Sequence, residues 1–345
     1  MKKFIYFIAL LLILVTLFSL MASAPVASAL TVPKQSESSL AVPYNGKIYH
    51  IFFHSFIIYP ELAFNSPRAK GYRDWMVTRG EFKEILNRLY ENDFSLIDIN
   101  YVRDCIINNR PLMFYSKKKP LILSVDDVNY YDYMKNDGFA EKLIVDENGV
   151  LAATVRTKDG SVIDYEGDIF PVVEDFVKSH PDFSFNNAKG IIAVTGYQGV
   201  FGYRISRDTH DIENAKKVAW ALKINGWRIA CHSFGHSIGF KDGSISFERL
   251  KRDTEKWNSV IAPITGPTNI YISPFGMHMN AGDNRFKYLI ESGFNIYCPV
   301  YKKMNITVNN GCMISQRLNF DGFTLRNYPE RIEREFFSAK GILER

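Results

Sequence analysis

The sequence predicts an α/β protein whose strands and helices form a distorted (β/α) barrel. Short apolar segments typical of strands alternate with amphipathic segments typical of helices, an order that favours a parallel sheet covered by helices. Five or six such β/α units follow one another, which favours a barrel over an open sheet. Residues 121–125 are almost wholly apolar, as a buried parallel strand requires, and polar residues follow directly.

The amino-terminal half contains three predicted strands, residues 48–53, 94–99 and 121–125. Between the first two, Thr78 and Glu81 have the spacing of a capping box, so a helix is predicted to begin after Thr78. The apolar residues of that helix recur at helical spacing on one face.

Residues 142–167 interrupt the alternation of strands and helices. Turn-forming sequences at residues 146–149 and 158–161 separate short runs of alternating apolar and polar residues. We expect a β-hairpin insertion that projects from the rim of the barrel.

The carboxy-terminal half returns to alternating strands and helices. Helix stop signals support this order, since Asn225-Gly226 and Gly293 follow two amphipathic segments. The predicted strands are residues 190–195, 228–231, 269–273 and 294–298, and the predicted helices are residues 170–178, 212–224, 246–261 and 284–292.

The first residues have the layout of an export signal. A basic start is followed by an uncharged apolar run, residues 4–21, and by two A-x-A sites. Residues 1–29 are therefore predicted to be a cleaved signal peptide, or an uncleaved membrane anchor that spans the bilayer through residues 4–21. Residues 30–46 are predicted to be a linker, and residues 47–345 a single domain outside the cytoplasmic membrane.

Composition argues against two classes of protein. The net charge is +5 and the one dense basic cluster is Lys117-Lys118-Lys119, so no nucleic acid is expected as a partner. The four cysteines are too few and too scattered for a disulfide scaffold, and none forms a C-x-x-C pair that would suggest structural zinc.

Two predicted strands end in residues that can bind a metal ion. Asp126 and Asp127 follow the strand at residues 121–125, and His232 and His236 follow a later strand. The C-terminal ends of barrel strands carry active sites, so both strand ends are candidate sites. Two histidines and one carboxylate form a common ligand set of catalytic zinc.

Two simpler interpretations remain open at this point. The histidines can be unrelated polar residues of a loop, and the aspartates can cap the segment that follows them. Adjacent carboxylates at the end of a buried strand are costly, however, unless a cation or hydrogen-bond donors compensate them. A metal ion would compensate one carboxylate and leave the other free to accept a proton.

These segments resemble the motifs of polysaccharide deacetylases (NodB-like domains, carbohydrate esterase family 4). His232-Ser233-x-x-His236 is similar to the H-[ST]-x-x-H motif, and Ser124-Val125-Asp126-Asp127 is similar to the [ST]-F-D-D motif. Ser273-Pro274-Phe275-Gly276 resembles the third motif, and Ile51-Phe52-Phe53-His54 resembles the M-Y-H start of exported Gram-positive members. The similar segments occur in the family's order over residues 47–300.

The resemblance implies a metal site formed by Asp127, His232 and His236, with a divalent ion as cofactor and zinc as the first candidate. It also implies that Asp126 is the general base. Typical members supply the general acid from a late L-x-H motif, but no histidine follows His278 in this sequence. The arginine that precedes the third motif and the tryptophan of the fourth motif are also missing.

His54 and His278 are the candidates for the missing acid, because each lies just after a predicted strand. We prefer His54, since it ends the first strand, whereas His278 lies beyond the flexible Gly276. The predicted catalytic residues are therefore Asp126 and His54.

The sequence thus predicts an exported, metal-dependent hydrolase that removes N-acetyl groups from amino sugars of cell-wall or extracellular polysaccharide. Its partner would be an acetylated glycan, and its location would be extracellular or at the cell surface. Two alternatives remain. One is a degenerate deacetylase fold that binds glycan without turnover, and the other is a hydrolase of the same fold that acts on another amide or ester.

Overall fold

Most strands of the protein belong to one large sheet, and the candidate site residues lie at its strand ends. The computed structural model describes residues 40–205, 209–301, 303–343 and 345. The predicted signal peptide or anchor, residues 1–29, and the linker up to residue 39 lie outside the described residues. Within the described part of the chain, no helix is long and apolar enough to cross a membrane.

Strands and α-helices alternate along much of the described chain. The strands are β1 (Ala41–Pro43), β2 (Tyr49–His54), β3 (Phe94–Leu96), β4 (Met113–Tyr115), β5 (Lys119–Asp126), β6 (Ala140–Val145), β7 (Leu151–Thr157), β8 (Gly160–Asp164), β9 (Gly190–Val194), β10 (Trp227–Cys231), β11 (Ile270–Ile272), β12 (Ile296–Cys298), β13 (Ile306–Asn309), β14 (Cys312–Ser315) and β15 (Leu318–Asn319). The α-helices are α1 (Pro60–Ala63), α2 (Ala69–Trp75), α3 (Arg79–Glu91), α4 (Ile99–Ile107), α5 (Ile169–Ser179), α6 (Thr209–Ile224), α7 (Phe247–Val260), α8 (Ala262–Thr265), α9 (Asn284–Glu291), α10 (Gly322–Asn327) and α11 (Pro329–Glu333).

The large sheet has ten strands in the order β13-β14-β12-β11-β10-β9-β5-β2-β15, with β3 also paired to β5. Its pairings are parallel except for that of β13 with β14, which confirms the predicted α/β architecture with a large parallel sheet. β14 pairs with β12, and β15 pairs with β2. Gln316 and Arg317 alone separate β14 from β15, so one segment of chain contacts both ends of the parallel sheet.

The two faces of the sheet contribute to different parts of the core. On β5, Leu123 and Val125 pack in the cluster that also contains the apolar face of α3. Ile122 belongs to a second cluster on the other face. Ser124 and Asp126 share that second face, because side chains alternate along a strand. The alternation therefore directs Asp126 to the face opposite α3.

The sequence signals at the ends of α3 and α6 are confirmed. The Thr78 side chain accepts a hydrogen bond from the backbone N–H of Glu81, and the Glu81 carboxylate accepts one from the N–H of Thr78. After α6, Gly226 has φ of 97°, and a Cβ there would lie 1.9 Å from the carbonyl oxygen of Asn187. This turn therefore requires glycine.

The insertion predicted as a projecting hairpin is instead a three-stranded antiparallel sheet. Both predicted turns exist, and they separate three strands, β6, β7 and β8. The prediction of a hairpin was wrong because the chain continues after the second turn into a third strand, β8, which pairs with β7. The insertion also does not simply project, since Leu143, Leu151 and Val155 are buried in the main core.

The folded part of the chain begins before residue 47. Ala41–Pro43 pairs antiparallel with Met113–Tyr115, and the N–H of Tyr44 donates to the carbonyl of Leu112 at 2.7 Å. The end of the predicted linker, residues 30–46, therefore contains a strand. From Leu40 onward, the described residues belong to one compact unit.

Replacing Val155 with alanine tests whether the insertion is part of the core. Val155 is fully buried, so Val155→Ala should lower the free energy of unfolding by about 2 kcal/mol, measured by urea denaturation. Its cross-strand partner Val162 is 44% exposed and serves as the control, with an expected change within about 0.5 kcal/mol. Equal effects of the two substitutions would mean that the insertion packs independently of the core.

Candidate metal centre

Three strands of the large sheet, β2, β5 and β10, position the predicted site residues at one edge. His54 ends β2, Asp126 ends β5, and His232 directly follows β10. β9 lies between β5 and β10, while β2 pairs with β5 so that His54 is the register partner of Asp126. Parallel strands end at the same edge, so these side chains share one cleft.

Asp127, His232 and His236 form a group that can hold one metal ion. Their ligand atoms all lie within 4.8 Å of one another. Oδ1 of Asp127 is 3.9 Å from Nε2 of His232 and 3.7 Å from Nε2 of His236. Atoms that share one ion at bond lengths of about 2.1 Å lie about 3–4 Å apart. Both the residue types and the spacing therefore fit a divalent ion.

Hydrogen bonds outside this group orient two of its members. Nδ1 of His232 donates to the carbonyl of Ile272 at 2.8 Å, which leaves Nε2 free to face Asp127. The Tyr131 hydroxyl donates to Oδ1 of Asp127 at 2.6 Å. Metal-binding histidines and carboxylates are commonly held by such partners.

Ionisation in the group also suits metal binding, which requires neutral histidine and charged carboxylate. Burial lowers the pKa of His232 below its usual value, against the opposing effect of the two aspartates. Burial alone would raise the pKa of Asp127, but His236, His232 and His54 outweigh it and lower that pKa to about 2.

The loops that carry these residues hold a strained backbone conformation. Asp127, Ser233 and His236 have φ values of 59°, 60° and 42°, in the left-handed region that most residues avoid. Such strain concentrates at functional sites, where surrounding contacts must maintain it. Here the Asp253 carboxylate accepts hydrogen bonds from the N–H groups of Phe234 and Gly235, at 2.6 and 2.7 Å.

Asp126 is paired with an arginine that sequence reasoning missed. Arg317 is fully buried, and its Nη1 and Nη2 donate to the two oxygens of Asp126 at 2.7 and 3.0 Å. Burial alone would raise the pKa of Asp126, but the Arg317 guanidinium holds it below its usual value. The one signal in the sequence was an arginine within the mostly apolar run of residues 312–320.

A chain of buried polar groups continues from this ion pair. Nη1 of Arg317 also donates to Oγ of Ser124 at 3.2 Å. His50 bridges two hydroxyls, with Nε2 at 3.1 Å from Ser124 and Nδ1 at 2.8 Å from Oγ of Ser315. Burial and the nearby Arg317 charge lower the pKa of His50 well below its usual value, so this ring is neutral.

His54 lies in the cleft, and His278 does not line it. Nδ1 of His54 is 3.2 Å from the carbonyl of Trp75, and Nε2 is 3.9 Å from Oδ2 of Asp127. The His278 ring lies against Tyr301, with ring centroids 5.2 Å apart. The cleft has a volume of about 680 Å³ and is lined by all five predicted site residues, Asp126, Asp127, His54, His232 and His236.

Solved structures provide a comparison for this arrangement, whereas no protein-family model and no curated protein matches the sequence. The chain is similar to the Streptococcus pyogenes deacetylase PplD in complex with acetate, with 12% identity and a TM-score of 0.52. The similarity covers 85% of this chain and 99% of that one. The protein has a NodB-like deacetylase fold. The resemblance inferred from the motifs is therefore confirmed for the fold.

Two further structures are similar to the chain at the same identity of 12%. For IcaB from Ammonifex degensii the TM-score is 0.48, and the match covers 81% of this chain and 94% of that one. For the putative polysaccharide deacetylase BA0330 from Bacillus anthracis the TM-score is 0.45, and the match covers 80% of this chain and 65% of that one.

The segment that resembles the third deacetylase motif forms one wall of the cleft. Pro274–Gly276 is a single turn of 3₁₀ helix in which Phe275 has φ of 53°. The Phe275 ring lies against the His236 ring, with centroids 4.4 Å apart. On the other side of the cleft floor, Arg317 reaches Asp126 from the two residues that separate β14 and β15.

Removing the charge of Arg317 should destabilise the protein strongly, because Asp126 would remain buried without a partner. Arg317→Met should lower the free energy of unfolding by about 3–5 kcal/mol, measured by urea denaturation. Arg156→Met is the matched control, since Arg156 pairs with Glu141 while 48% exposed, and it should cost about 1 kcal/mol or less. The double substitution Arg317→Met with Asp126→Leu should recover part of the loss. If Arg317→Met and Arg156→Met lowered the free energy of unfolding by similar amounts, the buried pair would not contribute more to stability than an exposed one.

Proposed function

We propose that the protein is a metal-dependent N-deacetylase that acts on amino sugars of cell-wall or extracellular polysaccharide. One observation carries the proposal: Asp127, His232 and His236 lie together beside the ion-paired Asp126, in a cleft of a deacetylase fold. We also propose that the large sheet is a distorted barrel closed by β14 and β15.

Zinc is the metal we propose for the group formed by Asp127, His232 and His236. Two imidazoles and one carboxylate suit zinc, and other late divalent metals of the first transition row share this preference. The chemistry that such an ion supplies is polarisation of the acetyl carbonyl and a lower pKa of water.

Asp126 is proposed as the general base. Its carboxylate is charged at neutral pH, and Arg317 holds both of its oxygens at fixed positions beside Asp127. A carboxylate so placed can accept a proton from the attacking water. The fixed guanidinium also limits rotation of the carboxylate, so the base needs little reorganisation during the reaction.

His54 is proposed as the general acid that protonates the departing sugar amine. A hydrogen bond from Nδ1 to the Trp75 carbonyl would fix the ring, and a protonated Nε2 would then point into the cleft beside Asp127. The missing late motifs were the support for a fold that binds glycan without turnover. His54 lines the cleft and is a candidate for the acid, while the buried Arg317 behind Asp126 is a candidate for the group that holds the base.

The proposed location is outside the cytoplasmic membrane. Its support is the sequence of residues 1–29, which resembles a signal peptide or anchor. The proposed partner is an acetylated glycan, which is also found outside the cell.

Removing one ligand tests the metal site together with the activity. In Asp127→Ala, bound zinc measured by mass spectrometry should fall from about one ion per chain to near zero, and acetate release from N-acetylglucosamine oligomers should stop. Asp164→Ala is the control, because Asp164 pairs with Arg79 and does not line the cleft, so bound zinc should remain. Full zinc content in Asp127→Ala would contradict the assigned ligand.

Replacing His54 distinguishes two roles for this residue, a general acid and a fourth metal ligand. His54→Ala should lower turnover by roughly 10²–10⁴-fold with zinc content unchanged, the usual effect of losing a general acid. His278→Ala should leave both measurements unchanged, since this histidine does not line the cleft. Loss of zinc from His54→Ala would show that the ring binds the metal, and unchanged turnover would remove His54 from the mechanism.

A further inference from the structure

One buried carboxylate outside the proposed catalytic group contacts the loops that carry two members of that group. Asp168 is 1% exposed and lies between β8 and α5. Its Oδ2 accepts hydrogen bonds from the hydroxyl of Ser55, at 3.1 Å, and from the hydroxyl of Tyr130. Ser55 directly follows His54, and Tyr130 is three residues after Asp127. A single oxygen therefore joins the loop after β2 to the loop after β5.

Capping of α5 accounts for only one of the two oxygens of Asp168. Its Oδ1 accepts a hydrogen bond from the N–H of Ile169, the first residue of α5, at 2.7 Å. Capping side chains usually accept from the second or third residue of the helix, as those of Thr78 and Ser246 do in this protein. The contacts of Oδ2 with two hydroxyls therefore need a separate explanation.

Stability does not explain a charged Asp168 either. Burial raises the pKa of Asp168 to about 6, although the donors on Tyr130, Ile169 and Ser55 oppose this effect. All three donors are uncharged. Because this pKa lies above that of an aspartate in the unfolded chain, ionisation of Asp168 destabilises the fold as the pH rises through about 6. A group that lowers stability at neutral pH is more typical of a functional site than of a structural one.

The bond to Tyr130 restrains the loop that carries Asp127. Tyr130 has φ of 53°, in the left-handed region, and its carbonyl accepts a hydrogen bond from Nη2 of Arg204 at 2.6 Å. The next residue, Tyr131, donates to Oδ1 of Asp127. Since both the hydroxyl and the carbonyl of Tyr130 are held, this residue determines where Tyr131 meets Asp127.

The bond to Ser55 restrains His54 in the same way. The pairing of β2 with β5 ends at His54 and Asp126, so Ser55 is the first residue beyond the paired strand. There its buried hydroxyl is bonded to Asp168. Nε2 of His54 and Oδ2 of Asp127 are 3.9 Å apart in the cleft. Asp168 thus contributes to that separation from both loops.

Contacts of its own neighbours hold Asp168 in place. Gly167 lies so close to β7 that a Cβ there would be 2.9 Å from Cβ of Ala153. Ile169 and Phe170, in the first turn of α5, are fully buried in the main core. Asp168 is therefore attached to the fold independently of the two loops that it contacts.

We infer that Asp168 is a positioning residue that fixes the separation of His54 from Asp127. The inference rests on the proposed function for the roles of His54 and Asp127, but not for the hydrogen bonds that hold their loops. Ser55→Ala should release the loop of His54, and Tyr130→Phe should release the loop of Asp127. Asp168→Asn should release both.

Zinc affinity and turnover of these three variants, each made in the full chain, test the inference. Tyr130→Phe should raise the zinc dissociation constant, and Ser55→Ala should leave it unchanged. Ser55→Ala should lower turnover at saturating zinc, and Asp168→Asn should show both effects. Each effect should be roughly 3- to 30-fold, because Asp168 acts through one residue more than the direct partners of a metal ligand, whose loss costs about 10- to 100-fold.

Ser184→Ala and Tyr115→Phe are the matched controls. Oγ of Ser184 donates to the carbonyl of Ala188 at 2.7 Å, and the Tyr115 hydroxyl donates to the carbonyl of Ser184 at 3.0 Å. Neither residue lines the cleft, so zinc affinity and turnover should not change. Effects in the controls as large as those in the test variants would indicate a general loss of stability and overturn the inference. Unchanged zinc affinity in Tyr130→Phe would also overturn it.

Amide hydrogen exchange of the zinc-free chain separates this inference from the proposed function. Exchange should be faster at residues 55–58 in Ser55→Ala, at residues 128–131 in Tyr130→Phe, and at both segments in Asp168→Asn. This pattern in a chain that releases no acetate rejects the proposed function alone. Acetate release without this pattern rejects the inference alone. If Asp168→Asn does not fold, the variants of Ser55 and Tyr130 decide the test.

Discussion

The buried ion pair between Asp126 and Arg317 is the interaction on which both the fold and the candidate site depend. Asp126 ends the central strand β5, where a carboxylate cannot remain charged without compensation. Arg317 supplies that charge from the segment that contacts β12 through β14 and β2 through β15. The contact therefore fixes the proposed base and attaches β5 to the segment that pairs with both ends of the parallel sheet.

The adjacent carboxylates of Asp126 and Asp127 face different partners because their backbone conformations differ. Asp126 still belongs to the strand and faces Arg317, whereas Asp127 turns away with φ of 59° and faces His232 and His236. One carboxylate is thus held by a guanidinium, and the other is available to a metal ion. Two acids in different environments suit the proposed hydrolysis, in which Asp127 would bind the cation and Asp126 would accept a proton.

The site residues that could be predicted from the sequence are those whose positions follow from a local pattern, a polar residue directly after an apolar strand. Asp127 and His232 each follow an apolar strand, and parallel strands end at one edge, so their proximity could be inferred from position alone. Arg317 could not be inferred this way, because it is 191 residues from Asp126 and its pairing depends on how the last strands complete the sheet. The third strand of the insertion was missed for a different reason, since exposed Val162 and Ile163 in β8 give no clear alternating pattern.

The location of a bound zinc ion tests the central claim most directly. Anomalous diffraction at the zinc edge, from crystals of the full chain grown with zinc, would locate the ion. The account predicts one peak in the cleft, at about 2.0–2.2 Å from an oxygen of Asp127 and from Nε2 of both His232 and His236. A cleft without a peak, or a peak bound by other residues, would contradict it.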